Sequence, residues 1–447
     1  MPLETPTLPC HAAIKAHVLR SMRRYWPQSG DAVAALGVAK SPRPAPIKIP
    51  LRLREVRLPD WAAFCAIDGI LLVPQEAFLS DSHGKSIDQW RQVDWFLAAF
   101  LLLEGWHERI WESRHGPIHS YSFRLKGWDQ RVWERAWVNR IALFLREWAA
   151  RETNIHSDLL FGSLPETDIA VTYDVDAVVK TTPIRIKQSA FNLFNAGRES
   201  VKGKFRNAAS CIGQAIKFSF GGSNWWLFDQ LLAAEDAANI RGVFNFHVGS
   251  WPKTLKSWLF DPSYDCGSPK LRDLIVRLLA SGREIGLHPS FESWADSDKI
   301  ASQKLVLDKI SGGVVTSCRQ HWLRFSWAAT WSAQERAGLL RDMTLMFNDR
   351  PGFRNGSAIE WHPLDMGSLS ALRLRARPTI LMDSHLHDYQ RLTPAQRSEL
   401  MNRLLEECRL VRGQAAVLWH PHTLSVDYGW HDSLNLLFAK LQSTQIQ

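Results

Sequence analysis

The residues able to do chemistry in this chain fall at the ends of short apolar runs. Asp174 and Asp176 end the run that begins IAVTYD, and His288 ends REIGLH. Arg319 ends GVVTSCR with His321 just beyond it, Asp383 ends PTILMD, and His420 ends AAVLWH. Residues at i and i+2 of a strand share a face, so Asp174 and Asp176 crowd two negative charges together. A cation beside them would relieve the repulsion. Carboxylates with imidazoles suit zinc, nickel, cobalt or ferrous iron, whereas calcium and magnesium want more oxygen ligands. One Asp would ligate, and the other would be free to take a proton from water in a metal-assisted hydrolysis. An Asp after a strand also caps helices, but one Asp suffices for that.

The elements that must position these residues follow a regular rhythm from about residue 168. Candidate strands are 169–174, 242–248, 283–288, 313–319, 378–383 and 415–420. Helical patterns lie between most of them, among them WWLFDQLLAAEDAAN, SPKLRDLIVRLLASG and TPAQRSELMNRLLEECRLV. Strand then helix, repeated, predicts parallel strands with helical crossovers. In such folds the C-terminal strand ends converge on one face, where active sites sit.

Four stretches, in order and at matching spacing over roughly residues 168–425, carry a resemblance. TYDVDA resembles the first motif of the polysaccharide deacetylase family of carbohydrate esterases, and GREIGLHPSFES is similar to the second. RQHWLRF stands where the family has Arg-x-Pro-Tyr, and AVLWHPH resembles the closing Leu-x-His. The wording is closer still to a bacterial branch of predicted polysaccharide deacetylases with T-x-D-V-D, G-L-H-P-S, R-Q-H-aromatic-L-R and G-F-R motifs behind an N-terminal α/β module. The resemblance implies Asp174 as the base, Asp176 and His288 as metal ligands, Arg319 as the residue orienting the base, and His420 as the general acid. It also implies a divalent transition metal, zinc first. The family's second His of His-x-x-x-His is Glu292 here. The third ligand expected is His321, in place of the family's proline, with Glu292 or the lack of a competent metal site as the alternatives.

Other candidates are weaker. Asp383 ends a strand and could position His420 or substrate. Arg354 in GFRNG could bind substrate or a turn carboxylate. His385 and His387 in HLHDY mimic a ligand spacing, but an exposed loop is the simpler expectation. His422 competes with His420 for the acid role, and strand register favours His420.

At 447 residues the chain exceeds one ordinary domain. The expected division is 1–50, a helix and a Pro-rich arm; 51–165, a mixed α/β module; and 166–447, a distorted (β/α) barrel of deacetylase type. WFLAAFLLL, at 95–103, is too short to span a bilayer and reads as a buried helix. The N-terminus has no basic region followed by an apolar core, and the six cysteines form no CxxC pair, so a cytoplasmic location, with the inner membrane as a peripheral variant, is expected. The net charge of +9 is uneven: residues 180–217 carry eight Lys and Arg against the single acid Glu199. That segment is either a solvated insertion or a patch for a membrane surface or pyrophosphate. No nucleic-acid module is recognised. Most of the 21 tryptophans should be core.

The expected activity is removal of an N-acetyl or similar acyl group from a sugar, with a lipid- or nucleotide-linked surface-glycan precursor as substrate. A catalytically inactive barrel binding glycans or anions is the alternative, and a metal-dependent phosphoesterase a third.

Overall fold

The structure, a computed structural model, describes residues 6–40, 46–79, 89–249 and 254–445. Residues 41–45 of the expected Pro-rich arm lie outside these. The fold is mixed α/β. Two strands, β1 (Leu53–Arg57) and β2 (Ile70–Pro74), pair antiparallel with Leu53 opposite Pro74. Eight more make one sheet: β3 (Asp168–Val175), β4 (Val243–Phe246), β5 (Glu284–Leu287), β6 (Ser317–Cys318), β7 (Arg341–Asp342), β8 (Arg375–Ala376), β9 (Thr379–Met382) and β10 (Gln414–Trp419). Their order is β8-β7-β6-β5-β4-β3-β10-β9. The pairs β3–β4, β4–β5, β6–β7 and β7–β8 are parallel. Every strand expected after residue 168 is present. The run 313–319 shortens to the two residues of β6, and the two-residue strands β7 and β8 carry too little apolar pattern to be read from sequence.

Register does the positioning. Val175 stands beside Phe246, and Phe246 beside Leu287. The next residue on each of β3, β4 and β5 is therefore Asp176, His247 and His288, at successive places just past the strand ends.

The chain divides into two compact units, and neither is a continuous segment. One comprises 1–170, 293–302 and 316–417; the other comprises 171–292, 303–315 and 418–447. The first unit is tied together by a set of buried charges. WFLAAFLLLEGWHERIW forms two helices, Trp95–Leu103 and Trp106–His115, broken at Gly105. Gly105 has φ +54°, and a Cβ there would lie 2.2 Å from the Trp327 ring, so the break admits only glycine. The first helix is buried throughout, as its composition predicts.

The second helix carries several charged residues, yet His107, Glu108, Arg109 and Glu112 are all buried. Glu108 and Glu112, at i and i+4, share a face. Glu108 takes Arg354 Nη2 at 2.7 Å and Trp327 Nε1 at 2.9 Å. Glu112 takes the Trp327 amide at 2.9 Å and the Ser326 hydroxyl. Just before the break, Glu104 accepts from His17 Nε2 at 2.8 Å, Arg109 Nη2 at 2.7 Å, Trp361 Nε1 at 2.9 Å and the Leu364 amide at 3.2 Å. Arg140, on helix Trp137–Thr153, pairs with Glu407 of helix Pro394–Leu410 at 2.7 Å. These ties bind the N-terminal helices to residues 326–407, which is why the two segments cluster together.

Burial pushes the Glu104 carboxyl up, but the His17 hydrogen bond and the charges of His17 and Arg109 outweigh it and hold it at about 2. A folded-state value below the ordinary 4.5 contributes stability that is complete above about pH 4.5 and lost as pH falls towards 2. Glu104→Gln should therefore lower the unfolding free energy at pH 7 by about 3 kcal/mol. In urea titrations the gap between wild type and variant should narrow steadily between pH 4.5 and 2; a gap independent of pH would show that the charge of Glu104 does not matter.

Candidate metal centre

β3 ends at Val175, one residue short of Asp176. The Asp176 amide donates back to the Asp174 carbonyl at 3.1 Å, which turns the chain as the strand stops. Both carboxylates still approach one imidazole: His288 Nε2 is 3.2 Å from Asp176 Oδ1 and 3.9 Å from Asp174 Oδ2. The other Asp176 oxygen, Oδ2, is 3.6 Å from His420 Nε2. Four of the expected residues, Asp174, Asp176, His288 and His420, thus meet within the second unit. Their exposure differs. Asp174 and His288 are buried, whereas Asp176 and His420 keep side-chain exposures of 27% and 13%.

Asp176, His288 and His321 are residues of the kinds that together could hold a metal ion. Two atoms bonded at about 2.1 Å to a tetrahedral metal stand about 3.4 Å apart. The 3.2 Å between His288 and Asp176 meets that spacing, and a carboxylate with two imidazoles suits zinc and its neighbours. The Asp176 and His288 pair fits a transition metal. Glu292, the other expected third ligand, instead pairs with Lys256 Nζ at 2.9 Å on an exposed side chain.

Three residues that sequence reasoning passed over complete the surroundings. Asn245 Nδ2 donates to Asp174 Oδ1 at 2.8 Å. His247, buried, has Nδ1 3.2 Å from the His288 carbonyl oxygen. The His247 amide donates to Tyr264 Oη at 2.8 Å. Burial, and to a lesser degree Cys266 and the two carboxylates, raise the Tyr264 hydroxyl well above its usual range, so it stays protonated. Asn245 and His247 are two residues apart and fall on one face of GVFNFHV.

The remaining expected residues are placed as follows. Arg319 is fully buried, and its Nε donates to the Met343 carbonyl at 2.9 Å and its Nη2 to Thr379 Oγ1 at 3.1 Å. Asp383 is buried and accepts the Ser384 amide at 2.8 Å. Arg354 is buried against Glu108, so a carboxylate partner, one on a helix rather than in a turn, accounts for its position. HLHDY is not the expected exposed loop. It is a helical turn, His385–Tyr389, in which His385 is buried between the Met382 amide and the Phe347 carbonyl. Burial lowers both His385 and His387 to about 4, so these imidazoles are neutral structural groups. His422 stacks on Trp225, with ring centroids 5.3 Å apart and planes 22° from parallel.

No family model and no curated protein matches the chain. Among solved structures it is similar to a Mycobacterium smegmatis protein assigned as a polysaccharide deacetylase, at 20% identity over 63% of this chain and 86% of that one, with a TM-score of 0.37. It is similar also to a Bordetella bronchiseptica protein assigned as a polysaccharide deacetylase of O-antigen biosynthesis, at 10% identity, 57% and 72% coverage and a TM-score of 0.29. A third is a CE4 family pseudoenzyme from Bacillus anthracis, at 11% identity, 62% and 61% coverage and a TM-score of 0.26.

The ligand set makes a direct prediction. Purified chain dialysed against zinc should retain about one equivalent by elemental analysis. Asp176→Ala and His288→Ala should retain well under a tenth of that, and Glu292→Ala should retain it in full; retention unchanged in Asp176→Ala would remove Asp176 from the ligand set.

Proposed function

We propose that the chain is a metal-dependent hydrolase that removes an N-acetyl or similar acyl group from a sugar. The observation that carries this reading is the division of labour between two adjacent acids. Asp176 points one oxygen to His288 and the other to His420, while Asp174 is buried and oriented by Asn245. That geometry supports a reading in which one carboxylate ligates and the other acts as a base.

A divalent transition metal, zinc first, held by Asp176, His288 and His321, would polarise the acyl carbonyl and ease ionisation of the attacking water. Asp174 takes the proton from that water as its oxygen bonds to the acyl carbon. The Asn245 amide keeps Oδ1 of Asp174 oriented and leaves Oδ2 on the side of His288. Arg319 retains the orienting role that its motif implies. His420, on the opposite side of Asp176 from His288, gives a proton to the amine nitrogen as the carbon–nitrogen bond breaks. The products are the free carboxylic acid and the amino sugar, and each proton is accounted for. Asp383 and Arg354 are left without a step: both are buried, and Arg354 is held by Glu108.

The substrate class proposed is a lipid- or nucleotide-linked precursor of a surface glycan. No helix among the described residues is long and apolar enough to cross a membrane.

Acetate release from N-acetylated amino-sugar substrates tests the reading. Wild type should release acetate in the presence of zinc. Asp174→Asn should lose 10²- to 10⁴-fold in kcat while retaining metal, the range typical for loss of a general base. His420→Ala should lose a similar factor, with partial recovery on an amide whose leaving group needs no proton. Metal retention without acetate release from any substrate would transfer the chain to the glycan-binding alternative, and phosphate release from a generic ester would favour the phosphoesterase.

A further inference from the structure

The basic segment after Asp176 is ordered. Residues Thr182–Val201 and Phe205–Phe220 form two helices joined by three residues. They run antiparallel, because Ser189 near the start of the first bonds Ser219 near the end of the second at 2.7 Å. Their polarity is the reverse of what a water-facing hairpin needs. The buried positions of the first helix are Asn192, Asn195, Ala196 and Glu199, and those of the second are small apart from Phe218. The large apolar residues point outward: Ile186, Phe194 and Val201 on the first helix, and Phe205, Ile216 and Phe220 on the second, are 57% to 90% exposed. Their spacing makes one stripe along each helix. Exposed apolar surface on this scale marks an interaction site.

The charges identify the partner. Glu199, the only acid of the segment, is buried and lies 3.6 Å from Lys202. Lys180 is used up by Asp427 at 2.9 Å. Arg198, Lys204, Arg206 and Lys217 are exposed, and among the described residues no carboxylate pairs with them. Exposed aromatic and aliphatic stripes interleaved with unpaired cations are the pattern of helices that lie in the headgroup layer of an anionic bilayer. Trp258, 54% exposed, stands beside the hairpin, its carbonyl 3.4 Å from Lys187 Nζ.

The hairpin is tied to the chain segment that carries His420. Lys180, before the first helix, bonds the Gly221 carbonyl at 3.1 Å as well as Asp427. Trp225, after the second, donates Nε1 to Asp427 at 2.8 Å and stacks on His422. Both ends of the hairpin therefore rest on residues within eight positions of His420.

We infer that the 182–220 hairpin docks on an anionic membrane surface through its two apolar stripes and its unpaired cations, and so presents the His420 segment to substrates borne on that surface. The second half of this inference rests on the deacetylase reading; docking does not.

Co-sedimentation of the full chain with vesicles tests it. Wild type should bind vesicles of phosphatidylcholine with one quarter phosphatidylglycerol and leave pure phosphatidylcholine largely free. A variant carrying Arg198→Glu, Lys204→Glu and Arg206→Glu should partition roughly tenfold or more weakly, as should one carrying Phe194→Ser, Phe205→Ser and Phe220→Ser. Both variants should keep wild-type thermal unfolding, since all six side chains are exposed. Asp176→Ala should bind vesicles as wild type does, which separates docking from the fate of the site. The inference is overturned if wild type ignores anionic vesicles, if both triple variants bind them undiminished, or if light scattering shows a dimer that the Phe variant abolishes with vesicle binding unchanged, which would make the stripes an interface between copies.

Discussion

One electrostatic constraint governs the site, the two carboxylates at the end of β3. Two like charges about 4 Å apart at an effective dielectric of about 20 repel by about 4 kcal/mol. The chain meets that cost with neighbours. Asn245 satisfies Asp174, and two imidazoles face Asp176 from different sides. Asn245, His288 and His420 are far from the two acids in sequence, and the parallel register of β3, β4 and β5 brings Asn245 and His288 to them. Moving β4 by one residue would turn Asn245 and His247 to the other face and leave Asp174 buried without its amide partner.

A second principle is visible in where polar groups are spent. Glu104, Glu108 and Glu112 lie in the interior of the first unit, each fully furnished with partners from residues 326–364. Buried carboxylates of this kind fix one arrangement of the chain, because any other leaves a charge unpaired. The 182–220 hairpin does the opposite, burying asparagines and exposing phenylalanines. The same chain therefore buries charge in one unit and leaves apolar surface exposed on the hairpin of the other.

Strand ends were the most legible feature of the sequence. The apolar runs before Asp174, His288 and His420 show where strands stop, and the order of the four motifs follows the fold. Less could be read where local pattern and tertiary role diverge. WHERIW looks like a solvated charged face, but its charges have partners more than 200 residues away, which no periodicity reveals. His247 ends a strand like the other candidates, yet a four-residue strand gives too short an alternation to show which side it faces. HLHDY looks exposed because its histidines are polar; the Met382 amide and Phe347 carbonyl that allow His385 to be buried come from the fold. The division into two interleaved units is likewise a product of long-range pairing.

The central claim is that Asp176, His288 and His321 share one metal ion. X-ray absorption at the zinc edge of the zinc-loaded chain tests it most directly. The account predicts a first shell of nitrogen and oxygen at about 2.0–2.2 Å, with outer-shell scattering from two imidazoles that falls to one in His321→Ala. A shell without imidazole scattering, or sulfur at about 2.3 Å, would contradict it.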